Sequence, residues 1–280
     1  MKIRFAIQFF IIALLCACSF GAAEFQIYRQ AFEIQYVEGD KVLDEVGRAE
    51  RKLMQQKFNR LSGVRSFDPD EAKYYLKVGD PPLAGAIRAS LTALKDYNDA
   101  LSGFATGEAA AAVRSELSSA SSSLEASLTT LGGATGVDAA FVKILSEGIG
   151  RVLLVLEVLE RAQNRAVFRE RLVAAHPDMK NLMLELRRGT GPMFDVVKLG
   201  YTTRGSLGGT DGINTDNLKR LEDFRGLLAG WVILIDQSVL AMDQAVLAVA
   251  TQAYAPDLTS LIKASVEIEV LAEAIKTARN

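Results

Sequence analysis

The chain has 280 residues, of which 49% are hydrophobic and 24% are charged, and its formal net charge is −2. This composition is typical of a folded globular protein and excludes a disordered tail. Its 32 basic residues alternate with 34 acidic ones, so no strong positive surface and no nucleic-acid partner are expected.

The N-terminus has the features of a secretory signal. Lys2 and Arg4 form a short positive region, residues 5–15 are apolar apart from Gln8, and small residues follow. Two cleavage sites are open: one after residue 17, giving a 1–17 signal peptide that leaves Cys18 first, and one near residues 22–23. The apolar stretch is too short to span a bilayer, for which roughly 20 apolar residues are needed.

The segment Leu15-Cys16-Ala17-Cys18 resembles the lipobox of bacterial lipoproteins, although Cys16 departs from that pattern. The resemblance makes Cys18 a lipidation candidate, and Ser19 after it suits sorting to the outer membrane. We therefore expect an exported protein in the bacterial periplasm, tethered to the outer membrane. The alternative is an ordinary signal peptide that is discarded with both cysteines.

Apolar residues recur at steps of three and four through the rest of the chain, which predicts helices and almost no sheet. The first helix is expected from Glu24 to Leu61, and a short one opens at Asp68 and is over by Gly79. Pro81 and Pro82 then start a third helix that Ser102-Gly103 is expected to stop. A leucine stripe from residue 113 to 131 predicts the next helix, which Gly132-Gly133 closes.

Residues 137–175 are expected to form one helix with a charged outer side. Glu147 precedes Arg151 by four residues and Glu157 precedes Arg161 likewise, the favourable order for ion pairs. Arg161, Arg165 and Arg169 continue this side as a basic strip. The strip is either a surface for an acidic partner or anionic lipid, or a solvated face.

Two prolines are expected to break the chain that follows. His176-Pro177 ends the preceding helix, because the residue before proline is pushed out of the α region. A helix from Asp178 to Arg188 follows, and then Gly189-Thr190-Gly191-Pro192 makes a second break before a stretch that reaches Leu199. Residues 200–214 are read as a Gly-rich connector.

The last two helices are expected over residues 215–254 and 256–278, and the first of them repeats a seven-residue pattern. Its apolar residues fill three heptad positions, beside a narrow polar strip at Asp236, Gln237, Asp243 and Gln244. Such a helix is either the centre of a bundle or a membrane segment. Inserting an aspartate into the centre of a bilayer costs about +2.5 to +3.5 kcal/mol, so the two aspartates offset the favourable insertion free energy of roughly ten aliphatic residues. A core helix is therefore favoured.

No catalytic, metal or nucleotide pattern is present in the sequence. His176 is the only histidine, and the nucleophile pattern Gly-x-Ser-x-Gly does not occur. A di-iron bundle needs two Glu-x-x-His motifs, and here Val173 stands at the glutamate position before His176. The glycines near Gly209 lack the lysine of a phosphate-binding loop, and the acids around Asp211 do not fit a calcium loop. We expect no enzyme activity, no metal and no cofactor.

The sequence thus predicts an all-α, elongated antiparallel bundle of about five to seven helices, in one domain over residues 24–280. The leading hypothesis is an envelope protein that acts as a binding, scaffold or adaptor module through protein contacts, and a homo-oligomer is left open. A membrane-active, pore-forming-like protein and a bundle that binds a small apolar ligand are the alternatives.

Overall fold

The structure is a computed structural model that describes residues 22–60, 69–76, 79–108, 110–134, 136–202, 215–251 and 258–279. These residues form α-helices, one short 3-10 helix at Pro69–Glu71 and connecting turns, with no strand among them. The α-helices are α1 (Ala22–Arg60), α2 (Ala72–Tyr75), α3 (Pro82–Thr106), α4 (Ala110–Leu131), α5 (Ala139–Glu160), α6 (Arg165–Ala174), α7 (His176–Arg188), α8 (Thr190–Thr202), α9 (Thr215–Ala250) and α10 (Thr259–Arg279). The predicted all-α class is confirmed.

The helices α6, α7 and α8 follow one another with single-residue interruptions. Ala175 and Gly189, the two intervening residues, keep right-handed helical backbone angles, so the chain continues as one rod from α6 to α8. If the rod counts as one member, the bundle has seven long helical members, as predicted. The breaks expected at Pro177 and Pro192 are therefore weaker than the sequence suggested, because each proline lies in the first turn of a new helix, where its missing N–H costs no hydrogen bond.

Helices α1 and α3 pack antiparallel. Ser102 of α3 donates its hydroxyl to the carbonyl of Phe25 near the start of α1, at 3.2 Å, whereas the start of α3 is bonded to Glu50 near the end of α1. The carboxylate of Glu50 is fully buried and accepts the N–H groups of Leu83 and Ala84 at 3.2 and 3.3 Å. This buried acid supplies the N-terminal cap of α3, where Pro81 offers no capping side chain.

One continuous cluster of buried apolar residues extends from α1 to α10, and a small second cluster holds Met54, Phe58 and Tyr74. Helix α9 contacts α1, α3, α6, α7, α8 and α10. Its only tryptophan, Trp231, is 1% exposed and lies against Gly39 of α1. Helix α9 is thus the central member of the bundle, as its heptads predicted.

Several predicted boundaries are wrong for identifiable reasons. Helix α3 passes through Ser102-Gly103 and ends at Thr106, with Gly107 at φ +87° as its C-terminal cap, because packing holds Gly103 in the helix. The helix expected over residues 137–175 is broken at residues 161–164. There the side chain of Asn164 accepts the N–H of Val167 at 3.0 Å and starts α6.

The remaining differences lie at segment ends. Helix α8 runs to Thr202, three residues beyond the expected end at Leu199, so the first residues of the predicted 200–214 connector are helical. The rest of that connector, from residue 203, lies outside the described residues, as does the signal segment before Ala22. Helix α9 ends at Ala250 and α10 begins at Thr259, both inside the expected limits.

Candidate interaction surface

Large apolar side chains at one heptad position of α9 point away from the core. Ile233, Leu240 and Leu247 are 45%, 53% and 56% exposed, and they follow one another at seven-residue intervals. The other two apolar heptad positions of α9 face the bundle: Ile235 and Met242 are 1% and 0% exposed at one position, and Val239 and Val246 are 7% and 6% exposed at the other. We call Ile233, Leu240 and Leu247 the α9 ridge.

The polar strip predicted on α9 lies on both sides of this ridge. On the α7 side, Arg187 donates two hydrogen bonds to the carboxylate of Asp236, at 2.6 and 2.9 Å. On the α10 side, Gln237 donates to Glu267 and to the carbonyl of Ala264, both at 3.3 Å. The apolar ridge therefore has a polar rim, an arrangement typical of protein interaction sites, where an apolar centre is bordered by polar groups.

Helix α9 is the one described helix that is long and apolar enough to cross a membrane, and 56% of its most apolar window is buried inside the protein. The two aspartates of its heptad segment have cationic partners on α7, since Asp236 binds Arg187 and Asp243 binds Lys180. Core packing accounts for most of the apolar character of α9. The α9 ridge is the part that core packing leaves unexplained.

Of the site residues predicted from sequence, the structure describes Arg161, Arg165 and Arg169. Cys18 lies outside the described residues. Arg161 follows the last residue of α5 and pairs with Glu157, as expected. Arg165 begins α6 and donates to the carbonyls of Phe104 and Glu108, with its guanidinium 4.2 Å from the Phe104 ring centre.

Arg169 is half-buried on α6. The helix break at residues 161–164 places Arg161 just after α5 and the other two arginines of the predicted strip on α6. The contacts of Arg165 close the C-terminal end of α3, which is a structural role. The second ion pair expected on α5 is also different: Arg151 binds Glu185 of α7 at 2.6 Å instead of Glu147.

The single histidine forms the most enzyme-like cluster of the structure. His176 Nε2 lies 2.8 Å from Asp243 Oδ1, and Lys180 Nζ lies 2.7 Å from the other oxygen of that carboxylate. Burial lowers the pKa of His176, against the opposing effect of Asp243. An aspartate-oriented histidine is also the arrangement of a general base.

The other nitrogen of that histidine faces inward. His176 Nδ1 is buried and has no hydrogen-bond partner among the described residues. The cluster instead ties α7 to α9 beside the buried Tyr28 and Tyr97, and burial raises the pKa of both phenols. Among the residues that the structure describes, no group of three His, Cys, Asp or Glu side chains is placed to hold a metal ion.

Glu185 is a second buried acid, and its role is also one of packing. Its Oε1 accepts from Arg151 at 2.6 Å, while its Oε2 is buried without a partner against Gly148 of α5. Burial raises the pKa of Glu185 even though Arg151 opposes this shift. A side chain at position 148 would displace the carboxylate, so the glycine allows α5 and α7 to approach each other here.

Sequence reasoning identified the heptads of α9 but not its exposed face. The sequence did contain a signal for that face: the third apolar heptad position lies between the aspartates and the glutamines of the polar strip, which are expected to face solvent. Comparison with known protein families, with curated proteins and with solved structures finds no match for this chain. Its function is therefore argued from its own geometry.

Proposed function

We propose that this chain is an exported binding or scaffold protein of the cell envelope that docks an apolar helix of a partner protein on the α9 ridge. The single observation that supports this most is the exposure of Ile233, Leu240 and Leu247 at heptad spacing. Residues at this spacing form one line along a helix, which is how helices pair side by side. A second copy of the chain is one such partner.

The surroundings of the ridge support recognition of a helix. The Arg187–Asp236 pair and the Gln237–Glu267 hydrogen bond lie on opposite sides of it, and each joins α9 to a neighbouring helix. These contacts hold the three helices in place before any partner arrives, which reduces the entropy lost on binding. Polar groups at such a rim contribute more to orientation and specificity than to affinity.

Site-specific photocrosslinking in the native envelope tests this proposal. Benzoylphenylalanine at position 240 is expected to yield a defined adduct with a protein. The matched control is position 154, because Leu154 on α5 is 65% exposed but lies outside the α9 ridge. Equal adduct patterns at both positions, or none at position 240, would contradict the proposal.

The place of action is part of the same proposal. Export and a lipid anchor on Cys18 would hold the bundle at the periplasmic face of the outer membrane, where its partner would be another envelope protein. The support comes from the N-terminal sequence alone. The intact mass of the mature chain tests it: a diacylglyceryl increment on Cys18 is expected, and an unmodified N-terminus near residues 22–23 would replace the anchor with a soluble periplasmic protein.

A membrane-active bundle is the second candidate, and the apolar length of α9 is the observation that favours it. Insertion of α9 would require Asp236 and Asp243 to leave their partners Arg187 and Lys180 and enter the bilayer. Leakage from liposomes on addition of the protein would support this candidate. Intact liposomes at all protein concentrations would exclude it.

A further inference from the structure

Tyr201 at the end of α8 is contacted by two cationic side chains from other helices. The Nζ of Lys52 on α1 lies 4.7 Å from the centre of its ring, and the guanidinium carbon of Arg220 on α9 lies 5.7 Å from it. Residues more than 140 positions apart in the chain are thus brought to one ring. This cluster lies outside the α9 ridge and has no part in the proposed function.

The position of the ring is fixed by packing. Gly200 lies so close to Ala49 of α1 that a Cβ built on it would be 3.1 to 3.2 Å from Ala49 atoms, so α8 meets α1 directly beside Tyr201. Asn217 of α9 donates to the carbonyl of Tyr201 at 3.0 Å. Three helices therefore hold the tyrosine beside Lys52 and Arg220.

The positive charges of Lys52 and Arg220 are not neutralised by a salt bridge within the described residues. Glu45 accepts from the Tyr201 hydroxyl at 3.4 Å, and its salt bridge is with Arg48, at 2.9 Å. Burial and the charge of Arg220 both lower the pKa of Lys52. The tyrosine ring attracts cations through its face, but it carries no net charge and leaves their repulsion in place.

We infer that Lys52, Arg220 and Tyr201 form a binding site for a phosphate group, carried by a free phosphomonoester or by a phospholipid head. A phosphomonoester has a charge of about −1.5 to −2 at pH 7, which matches two cations that form no salt bridge with any residue the structure describes. The guanidinium of Arg220 can bind two phosphate oxygens side by side, and the ammonium of Lys52 acts as a point charge. Binding would relieve the repulsion that now lowers the pKa of Lys52.

The full-length protein can be titrated with glycerol 3-phosphate at constant ionic strength, with chloride as the reference anion. We expect a rise in Tm and a rise in the pKa of Lys52. NMR of the Lys52 side-chain amine measures that pKa. The substitutions Lys52→Met and Arg220→Gln should each weaken binding at least tenfold. Lys219→Met is the matched control, because Lys219 is an exposed neighbour on α9 that makes no contact with Tyr201 in the structure.

A second arm uses vesicles of phosphatidylglycerol and of phosphatidylcholine. Saturable binding of glycerol 3-phosphate that depends on Lys52 and Arg220 identifies a free phosphomonoester as the ligand. Binding to phosphatidylglycerol vesicles alone, with the same dependence, identifies a lipid head. The inference is overturned if binding is absent in both arms, or if it is equal in Lys52→Met, Arg220→Gln and Lys219→Met. Unchanged Tm and circular dichroism of the ligand-free variants show that they fold.

Discussion

Replacing Gly39 of α1 by alanine tests the packing of the central helix. A Cβ at this position would lie 2.8 Å from Trp231 Nε1, 2.9 Å from Leu91 Cδ1 and 3.1 Å from Trp231 Cε2. Ordinary contacts between carbon atoms are about 3.5–4.0 Å, so these groups would have to move by several tenths of an ångström. Trp231 and Leu91 are both buried, and protein cores are packed too closely for such shifts to be free of cost.

Two effects of opposite sign decide the magnitude. Alanine in place of glycine inside a helix stabilises it by about 1 kcal/mol. Overpacking of a core costs about 1–3 kcal/mol. Gly150→Ala is the matched control, because Gly150 lies inside α5 and a Cβ there would meet nothing within 4 Å. The helical term is common to both variants, so Gly39→Ala should be less stable than Gly150→Ala by about 1–3 kcal/mol.

Urea unfolding of the wild type and both variants measures this difference, with fluorescence as the probe. Trp231 is the only tryptophan of the chain, so its emission reports directly on the contact between α1 and α9. Gly150→Ala should raise the free energy of unfolding and leave the emission spectrum unchanged, while Gly39→Ala should shift the spectrum. If both variants gain stability equally, then α1 does not approach Trp231 at Gly39, and the proposed packing of α9 is wrong.

Three further predictions concern the acid cap, the histidine and the α9 ridge. Glu50→Ala should lower the free energy of unfolding by about 2–4 kcal/mol in urea titrations, because two N–H groups of α3 lose a buried charged acceptor, and Glu50→Gln should cost less. The pKa of His176 is lower in the folded protein than in the unfolded chain, so the unfolded chain binds the proton first and stability should fall as the pH drops through about 6.5. His176→Gln should remove that part of the pH dependence, and an unchanged slope would refute the assignment. Leu247→Ser should change the free energy of unfolding by no more than about 0.5 kcal/mol and abolish the crosslink formed by benzoylphenylalanine at position 240, since Leu247 is 56% exposed on the same ridge.

Helical periodicity was sufficient to predict the all-α class and the central position of α9, because both follow from the number and spacing of apolar residues. Helix boundaries were predicted well where a glycine pair stood at the end, as after Leu131, where α4 stops. They failed where apolar spacing continues across a capping residue: Leu159 and Phe168 are buried on either side of the break at residues 161–164, and Ala162 is buried inside it. Local periodicity therefore hid the break.

The candidate sites depend on contacts that no local pattern contains. The heptads of α9 name three apolar positions, but only the placement of α7 and α10 leaves Leu240 exposed rather than buried. Lys52, Tyr201 and Arg220 have no common spacing, and they meet because Gly200 allows α8 to approach α1. Likewise, Arg151 pairs with Glu185 on another helix, although Glu147 stands at the favourable spacing on its own helix.

Cysteine accessibility along α9, in water and without detergent, tests the central claim most directly. Single cysteines are placed at positions 240 and 234 in a background where Cys16 and Cys18 are serine. The two positions lie on different faces of the same helix: Leu240 is 53% exposed and Leu234 is fully buried. The bundle predicts rapid maleimide labelling at position 240 and labelling at position 234 only after unfolding. If a lipid bilayer is needed to protect the cysteines from maleimide, and it then protects both positions equally, the bundle is contradicted and α9 lies in the membrane.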